Sequence, residues 1–265
     1  MEFVSLYLSA LGFIMIFMSV LWLVSVLITN ASIVDCFWGI CFLIATSVYI
    51  YPFDNIFYRE GVLFILVVLW SLRLSIYLMI RNWGKGEDFR YQKFRQDFGE
   101  ERYWWFSFFQ VYLLQGVLSW IVSLPLMGAV YYTIDNTLNI FDYLGMVFWL
   151  IGFIYEAGAD YQLSRFKSKT ENKGKLLKIG FWKYTRHPNY FGNAMIWWGF
   201  GFFALAASAY ICVIGSLIMT FLLVKVSGVA LLERSMKKSK PGYDDYVKET
   251  SAFIPFFKIN SRDSN

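Results

Sequence analysis

Six apolar runs constrain what this chain can become: Val4 to Thr29, Ser32 to Tyr51, Gly61 to Ile80, Phe108 to Tyr131, Leu138 to Asp160, and Phe191 to Leu232. A helix that crosses a bilayer needs about 20 residues. The first five runs match that length, and the last is about twice as long, so it reads as two helices joined near Ala206-Ala207-Ser208-Ala209-Tyr210. Lipid offers no hydrogen-bond partners to the backbone, so apolar runs of this length satisfy their N–H and C=O groups as helices. The expectation is an all-α, polytopic integral membrane protein, a single domain over residues 1–265 with about seven transmembrane helices. A chain that is 58% hydrophobic and 16% charged is not an ordinary soluble domain. No basic segment or small-residue cleavage site precedes the first run, which is therefore expected to remain as a span.

Orientation follows from the cations, because cytoplasmic loops carry the Lys and Arg excess. Six basic residues lie between Arg81 and Arg102, eight between Arg165 and Arg186, and seven from Arg234 onward, 21 of the 24 in the chain. Seven crossings with the N-terminus outside and the C-terminus cytoplasmic accommodate all three groups; in a bacterium this is a protein of the inner membrane. Arg73 and Lys225 are basic residues inside spans, and Asp35, Glu156 and Asp160 are acids within or at the inner ends of spans. A charge at the bilayer centre costs about 2.5 to 3.5 kcal/mol, so such residues are expected to face a cavity or one another.

The polar interval from Asp160 to Trp198 holds the only histidine, a basic cluster and three tyrosines between two apolar runs. From Arg165 to Arg186 it has eight basic residues and one acid, Glu171. Anionic lipid would account for such an excess, and so would a nucleotide carrying a pyrophosphate and a 2'-phosphate. The interleaved Tyr184, His187, Asn189 and Tyr190 are donors and flat rings that a headgroup does not need. His187 precedes Pro188, which pushes it out of helical conformation and suits Pro188 to a first helical turn. A helix N-terminus there favours an anion. The other basic stretch, Arg81 to Tyr91, contains Gly84 and Gly86, which allow close backbone approach, beside Lys85 and Arg90. Cys36, Cys41 and Cys212 lie in apolar runs without ligand spacing, and no metal-binding set is visible.

In order along the chain stand Arg81-Asn82-Trp83-Gly84-Lys85-Gly86-Glu87-Asp88-Phe89-Arg90-Tyr91, Phe109-Gln110-Val111 with Leu113 to Gly116, Asn172-Lys173-Gly174-Lys175, Arg186-His187-Pro188-Asn189-Tyr190-Phe191-Gly192 and Pro241-Gly242-Tyr243. This set resembles the bacterial membrane branch of the steroid 5-alpha-reductase superfamily, with residues 160–255 similar to its C-terminal domain. The resemblance implies a seven-helix fold that binds NADPH from the cytoplasmic side and reduces a C=C bond conjugated to a carbonyl in a lipophilic substrate. It places Asp160, Arg165, Lys173, Tyr184, Arg186, His187, Asn189 and Tyr190 at the cofactor, with Arg73, Tyr77, Asn82 and Arg90 approaching it. Asn193 stands where many relatives have Glu, and only Asp35 stands near the Gln-Glu pair of the steroid-reducing members, so steroid specificity does not carry over.

The chemistry expected is hydride donation to an enone whose oxygen is polarised by an acid or donor. Asp35, beside Trp38, is the candidate donor, with Tyr91 or Tyr184 next. The partners expected are a lipophilic small molecule and the bilayer, with no nucleic acid. The alternative enzyme class resembles S-adenosylmethionine-dependent membrane methyltransferases of isoprenylcysteine or phospholipids. These share Arg-His-Pro-x-Tyr but have a Glu-Glu pair where this chain has Leu232-Glu233-Arg234. A non-enzymatic lipid-binding scaffold is the third reading.

Overall fold

The computed structural model describes residues 2–226, 229, 232–233, 236–237 and 240–256. Among them the regular elements are all helical: α1 (Phe3–Leu27), α2 (Ile33–Ile50), α3 (Tyr58–Asn82), α4 (Phe89–Phe98), α5 (Tyr103–Val122), α6 (Leu124–Tyr131), α7 (Ile140–Lys167), α8 (Pro188–Ala206), α9 (Tyr210–Val226) and α10 (Tyr243–Glu249). Five of these, α1, α2, α3, α5 and α7, are long and apolar enough to cross a membrane. The chain divides into two compact units, one of residues 1–142 with 203–215, the other of residues 143–202 with 216–265.

In the first unit the polar caps fall where the chain leaves the apolar runs. The Glu60 side chain accepts from the backbone of Phe57 at 3.0 Å and so closes the start of α3. Asp88 accepts from the backbone N–H of Arg90 at 3.0 Å to start α4, and Gly99, at φ 102°, ends it in a conformation that disfavours side chains. α5 contains a π-helical stretch, Phe108–Leu113, and stops at Ser123 ahead of Pro125, which lies in the first turn of α6. The expected single span from Phe108 to Tyr131 is therefore corrected. It begins five residues earlier, at Tyr103, and breaks where Pro125 has no N–H to give.

Helix packing in this unit is locked by polar pairs as well as by apolar contact. Tyr7 donates its hydroxyl to the Trp120 carbonyl at 2.9 Å, while Trp120 Nε1 donates to the Tyr7 carbonyl at 2.8 Å, the rings stacked 4.3 Å apart. Arg59 and Asp142 form a buried bidentate pair, Nε to Oδ1 at 2.7 Å and Nη2 to Oδ2 at 3.0 Å. The remaining donors of Arg59 reach Thr133 Oγ1 and the Thr137 carbonyl. This pair fastens the connection before α7 to the start of α3.

In the second unit α7 and α8 approach closely along a seam of glycines. A Cβ at Gly152 would lie 2.5 Å from the Gly192 carbonyl, and one at Gly192 would lie 2.4 Å from the Glu156 nitrogen. Small residues that let backbones meet are how membrane helices gain packing without a hydrophobic drive between them. The expected end of this span at Asp160 is also corrected, since α7 continues to Lys167 and carries Arg165 in its last turn. Lys225, expected to face a cavity, is exposed near the end of α9. The long apolar run does break where anticipated, between Ala206 and Tyr210.

Candidate functional site

Within the second unit, the glycine seam sets two acids of α7 against two amides of α8, each pair one helical turn apart. Asn189 Nδ2 donates to Asp160 Oδ1 at 3.2 Å, and Asn193 Nδ2 donates to Glu156 Oε1 at 2.9 Å. Glu156, Asp160 and Asn193 are buried. Asn193 Oδ1 is buried with no hydrogen-bond partner among the described residues. At Asn193, this chain therefore pairs an amide with an acid and leaves one acceptor open.

Pro188 opens α8, so His187 lies just outside the helix, as its position before proline requires. The His187 ring lies nearly parallel to that of Tyr190, 5.8 Å away, and its Nε2 is 3.3 Å from Glu233 Oε1. Burial holds its pKa below the ordinary value, with Arg186 acting the same way and Glu233 opposing. Arg186 Nε donates to the same Glu233 oxygen at 2.7 Å. Burial alone would raise the pKa of Glu233, but the Arg186 and His187 bonds outweigh it and hold the carboxyl below its usual range.

Arg186 is also the anchor of the C-terminal tail. Its Nη1 donates to the carbonyls of Val247 and Thr250, and its backbone N–H donates to the Ser251 carbonyl at 2.9 Å. Thr185 bridges to Ser251 and donates to the Phe253 carbonyl, Phe256 donates to the Tyr184 carbonyl, and Tyr246 donates to the Trp182 carbonyl. The tail thus lies along residues 182–186. The guanidinium expected at a cofactor phosphate is buried, with its Nε and Nη1 given to Glu233 and these carbonyls. Arg165 and Lys173 are exposed, and Tyr184, Asn189 and Tyr190 are half-buried.

In the first unit, α4 is docked by its charged residues. Asp35, in the first turn of α2, accepts from Arg90 Nη2 at 2.7 Å and from the Tyr91 hydroxyl at 2.7 Å. Gln115 of α5 donates to the Tyr91 oxygen at 3.2 Å. Burial and then the Asp35 charge push the Tyr91 phenol well above its ordinary pKa. Asp35 is therefore an acceptor fixed by two donors, and the group that holds a proton beside it is Tyr91. Asn82 closes α3 and donates to the Cys36 sulfur at 3.7 Å, while Arg73 and Tyr77 are half-buried on the same helix. Sequence reasoning passed over Gln115 and the role of Glu233. Each contacts a recognised residue, but at separations of 24 and 46 to 47 positions that no local motif reports.

A multi-pass helical membrane protein with acids and amides buried between its helices is the class that fold and site define. The chain belongs to the family described as "Protein of unknown function (DUF1295)", whose model matches residues 21–250. It is 26% identical over 213 residues to an uncharacterized protein of Schizosaccharomyces pombe, a match covering 72% of this chain and 62% of that one. It is 24% identical over 112 residues to 3-oxo-5-alpha-steroid 4-dehydrogenase 1 of Mus musculus, covering 42% of this chain and 41% of the mouse protein. The chain spans less than two thirds of the length of either relative. These matches relate the family distantly to the steroid 5-alpha-reductases. No solved structure matches the chain.

Proposed function

We propose that this protein is a membrane-embedded, NADPH-dependent reductase of a C=C bond conjugated to a carbonyl in a lipophilic substrate, with seven crossings and a cytoplasmic C-terminus. The distant relation to a steroid dehydrogenase supports the oxidoreductase class. The observation that carries the reading is the open Oδ1 acceptor of Asn193, buried beside Glu156. An amide N–H of a nicotinamide would satisfy it, and a buried acceptor left unpaired is otherwise costly.

The residues of the second unit fit such a group. The exposed Arg165 and Lys173 supply charge for phosphates, Tyr184 and Tyr190 supply rings, and Asn189 and Asn193 supply amide contacts. Asp160 orients Asn189, and Arg186 and His187, tied to Glu233, hold the shape of the corner. NADPH when bound supplies the hydride. In the first unit Arg90 and Asp35 fix Tyr91, whose hydroxyl is suited to give a proton or a hydrogen bond.

Calorimetry on detergent-purified protein tests this reading. NADPH is expected to bind more tightly than NADH, and S-adenosylmethionine not to compete. Binding of the methyl donor without any nicotinamide binding would overturn it.

A further inference from the structure

In the first unit the end of α1, the turn into α2 and the corner between α4 and α5 enclose a crevice of about 200 Å³. It is lined by Ser25, Val26, Thr29, Ala31, Arg95, Glu100, Trp104 and Ser107, the two serines being buried. Ligand pockets for drug-sized molecules run from about 300 Å³ upward, so this volume suits a small polar group and not a dinucleotide. Nothing in the proposed reductase chemistry uses it.

Its chemistry has two signs. Arg95 gives Nε and Nη2 to Glu87, at 3.1 and 2.9 Å, which fixes the guanidinium and leaves Nη1 for another acceptor. Glu100 supplies an exposed carboxylate. Ser25 and Ser107 donate to the carbonyls of Trp22 and Trp104, at 2.7 and 2.9 Å, so their hydroxyl oxygens remain acceptors. Under Arg95 lies the ring of Tyr103, whose fully buried hydroxyl has no hydrogen-bond partner among the described residues. At the rim, Thr29 at φ 52° is the left-handed residue that ends α1, with the Asn30 N–H donating to the Ser25 carbonyl at 2.9 Å.

Position narrows the ligand. α1 ends at Leu27 and α5 begins at Tyr103, so the crevice sits at the level where membrane-length helices leave the apolar layer. Trp22 and Trp104 stack there, 6.4 Å apart, and Trp22 Nε1 donates to the Trp104 carbonyl at 2.8 Å. Tryptophans mark the headgroup level of a bilayer.

We propose that this crevice binds an amine–phosphate zwitterion, the headgroup of an ethanolamine phospholipid, with the phosphate toward Arg95 and the ammonium toward Glu100.

Native mass spectrometry of the intact protein in mixed micelles compares retention of phosphatidylethanolamine with that of phosphatidylglycerol. Ethanolamine lipid is expected to be retained preferentially. Glu100→Gln, an exposed position that leaves the Arg95–Glu87 pair intact, is expected to reduce that preference about threefold to fivefold, the size of one partly exposed ion pair. A melting temperature unchanged from wild type verifies the fold of this variant. Free O-phosphoethanolamine is the control for a soluble source: competition by it at low concentration, without lipid retention, would overturn the assignment to lipid. Equal retention of both lipids, or an undiminished preference in Glu100→Gln, would overturn the site itself.

Discussion

The Tyr91 hydroxyl donates to Asp35 across 2.7 Å and accepts from Gln115 at 3.2 Å, so this phenol is held by groups from two other helices. Asp35 is at the same time engaged by Arg90. A carboxylate in that position orients the phenol by accepting from it.

Tyr91→Phe therefore separates the proposed proton donor from its scaffold. It is expected to cost about 1 kcal/mol of stability, the usual worth of one hydrogen bond. Nucleotide affinity is expected to stay near wild type while turnover of an enone falls by about 100-fold or more. Wild-type turnover in the folded variant would remove Tyr91 and leave Tyr184 as the next donor to test. Asp35→Asn is expected to slow the same step and to couple with Arg90→Met in a double-mutant cycle by about 0.5 to 3 kcal/mol.

The Arg59–Asp142 pair predicts a stability effect without a catalytic one. Both side chains are buried, and every oxygen of Asp142 has a donor, Asn139 N–H supplying one at 2.8 Å. Arg59→Met leaves Asp142 charged and short of donors, which is expected to cost about 3 to 5 kcal/mol. The double change Arg59→Met with Asp142→Leu is expected to recover much of it. Thermal melts in detergent supply the measurement, and additive losses would show that the two residues act independently.

Gly192→Ala tests the α7–α8 seam. The added methyl would meet the Glu156 backbone at 2.4 Å and the Gly152 carbonyl at 2.5 Å, atoms that cannot swing aside. Overpacking of this kind costs about 1 to 3 kcal/mol. Because the Glu156–Asn193 pair rides on the same seam, NADPH binding is expected to weaken too. A variant with unchanged melting temperature and affinity would mean that the helices spread at no cost.

His187 gives the fold a pH dependence with a definite sign. Its folded pKa lies below the ordinary 6.5, so the unfolded chain binds more protons as pH falls through that value. The stability contributed is complete above about pH 6.5 and declines as pH drops toward the folded pKa. Glu233, also depressed, adds a second loss below its ordinary 4.5. Melting temperature is expected to fall between pH 7.5 and 5.5 in wild type and to fall less in His187→Gln. Parallel curves for the two proteins would assign the acid loss to other groups.

Much of the fold was legible because apolar length translates directly into helix: the runs starting near Val4, Ser32 and Gly61 became α1, α2 and α3 with ends shifted by a few residues. Pro188 at the start of α8 also follows from local sterics, whereas Gly84 and Gly86, expected to allow close backbone approach, have open space around them and serve instead as turn residues at φ 72°. The extension of α7 past Asp160 was hidden because Gln162, Ser164 and Arg165 read as loop once the apolar run ends. The fate of Arg186 was hidden for a different reason. Its basic, aromatic surroundings suggest an anion, yet carbonyls 61 and 64 residues downstream take its donors, and backbone acceptors leave no mark in a sequence.

The π-helical stretch Phe108–Leu113 accommodates one residue more per turn than the helix around it, and Gln115 lies just beyond it. Each residue of a regular helix advances the face by about 100°. Removing one residue from this stretch would let α5 relax to uniform winding while the faces before and after it keep their phase, because the wide turn is what absorbs the extra residue. Gln115 would still meet Tyr91, and Trp120 would still meet Tyr7. The same codon deletion in the regular turn between Gln115 and Trp120 would act as a phase slip, one that takes Trp120 from Tyr7 without altering the chemistry of any remaining side chain.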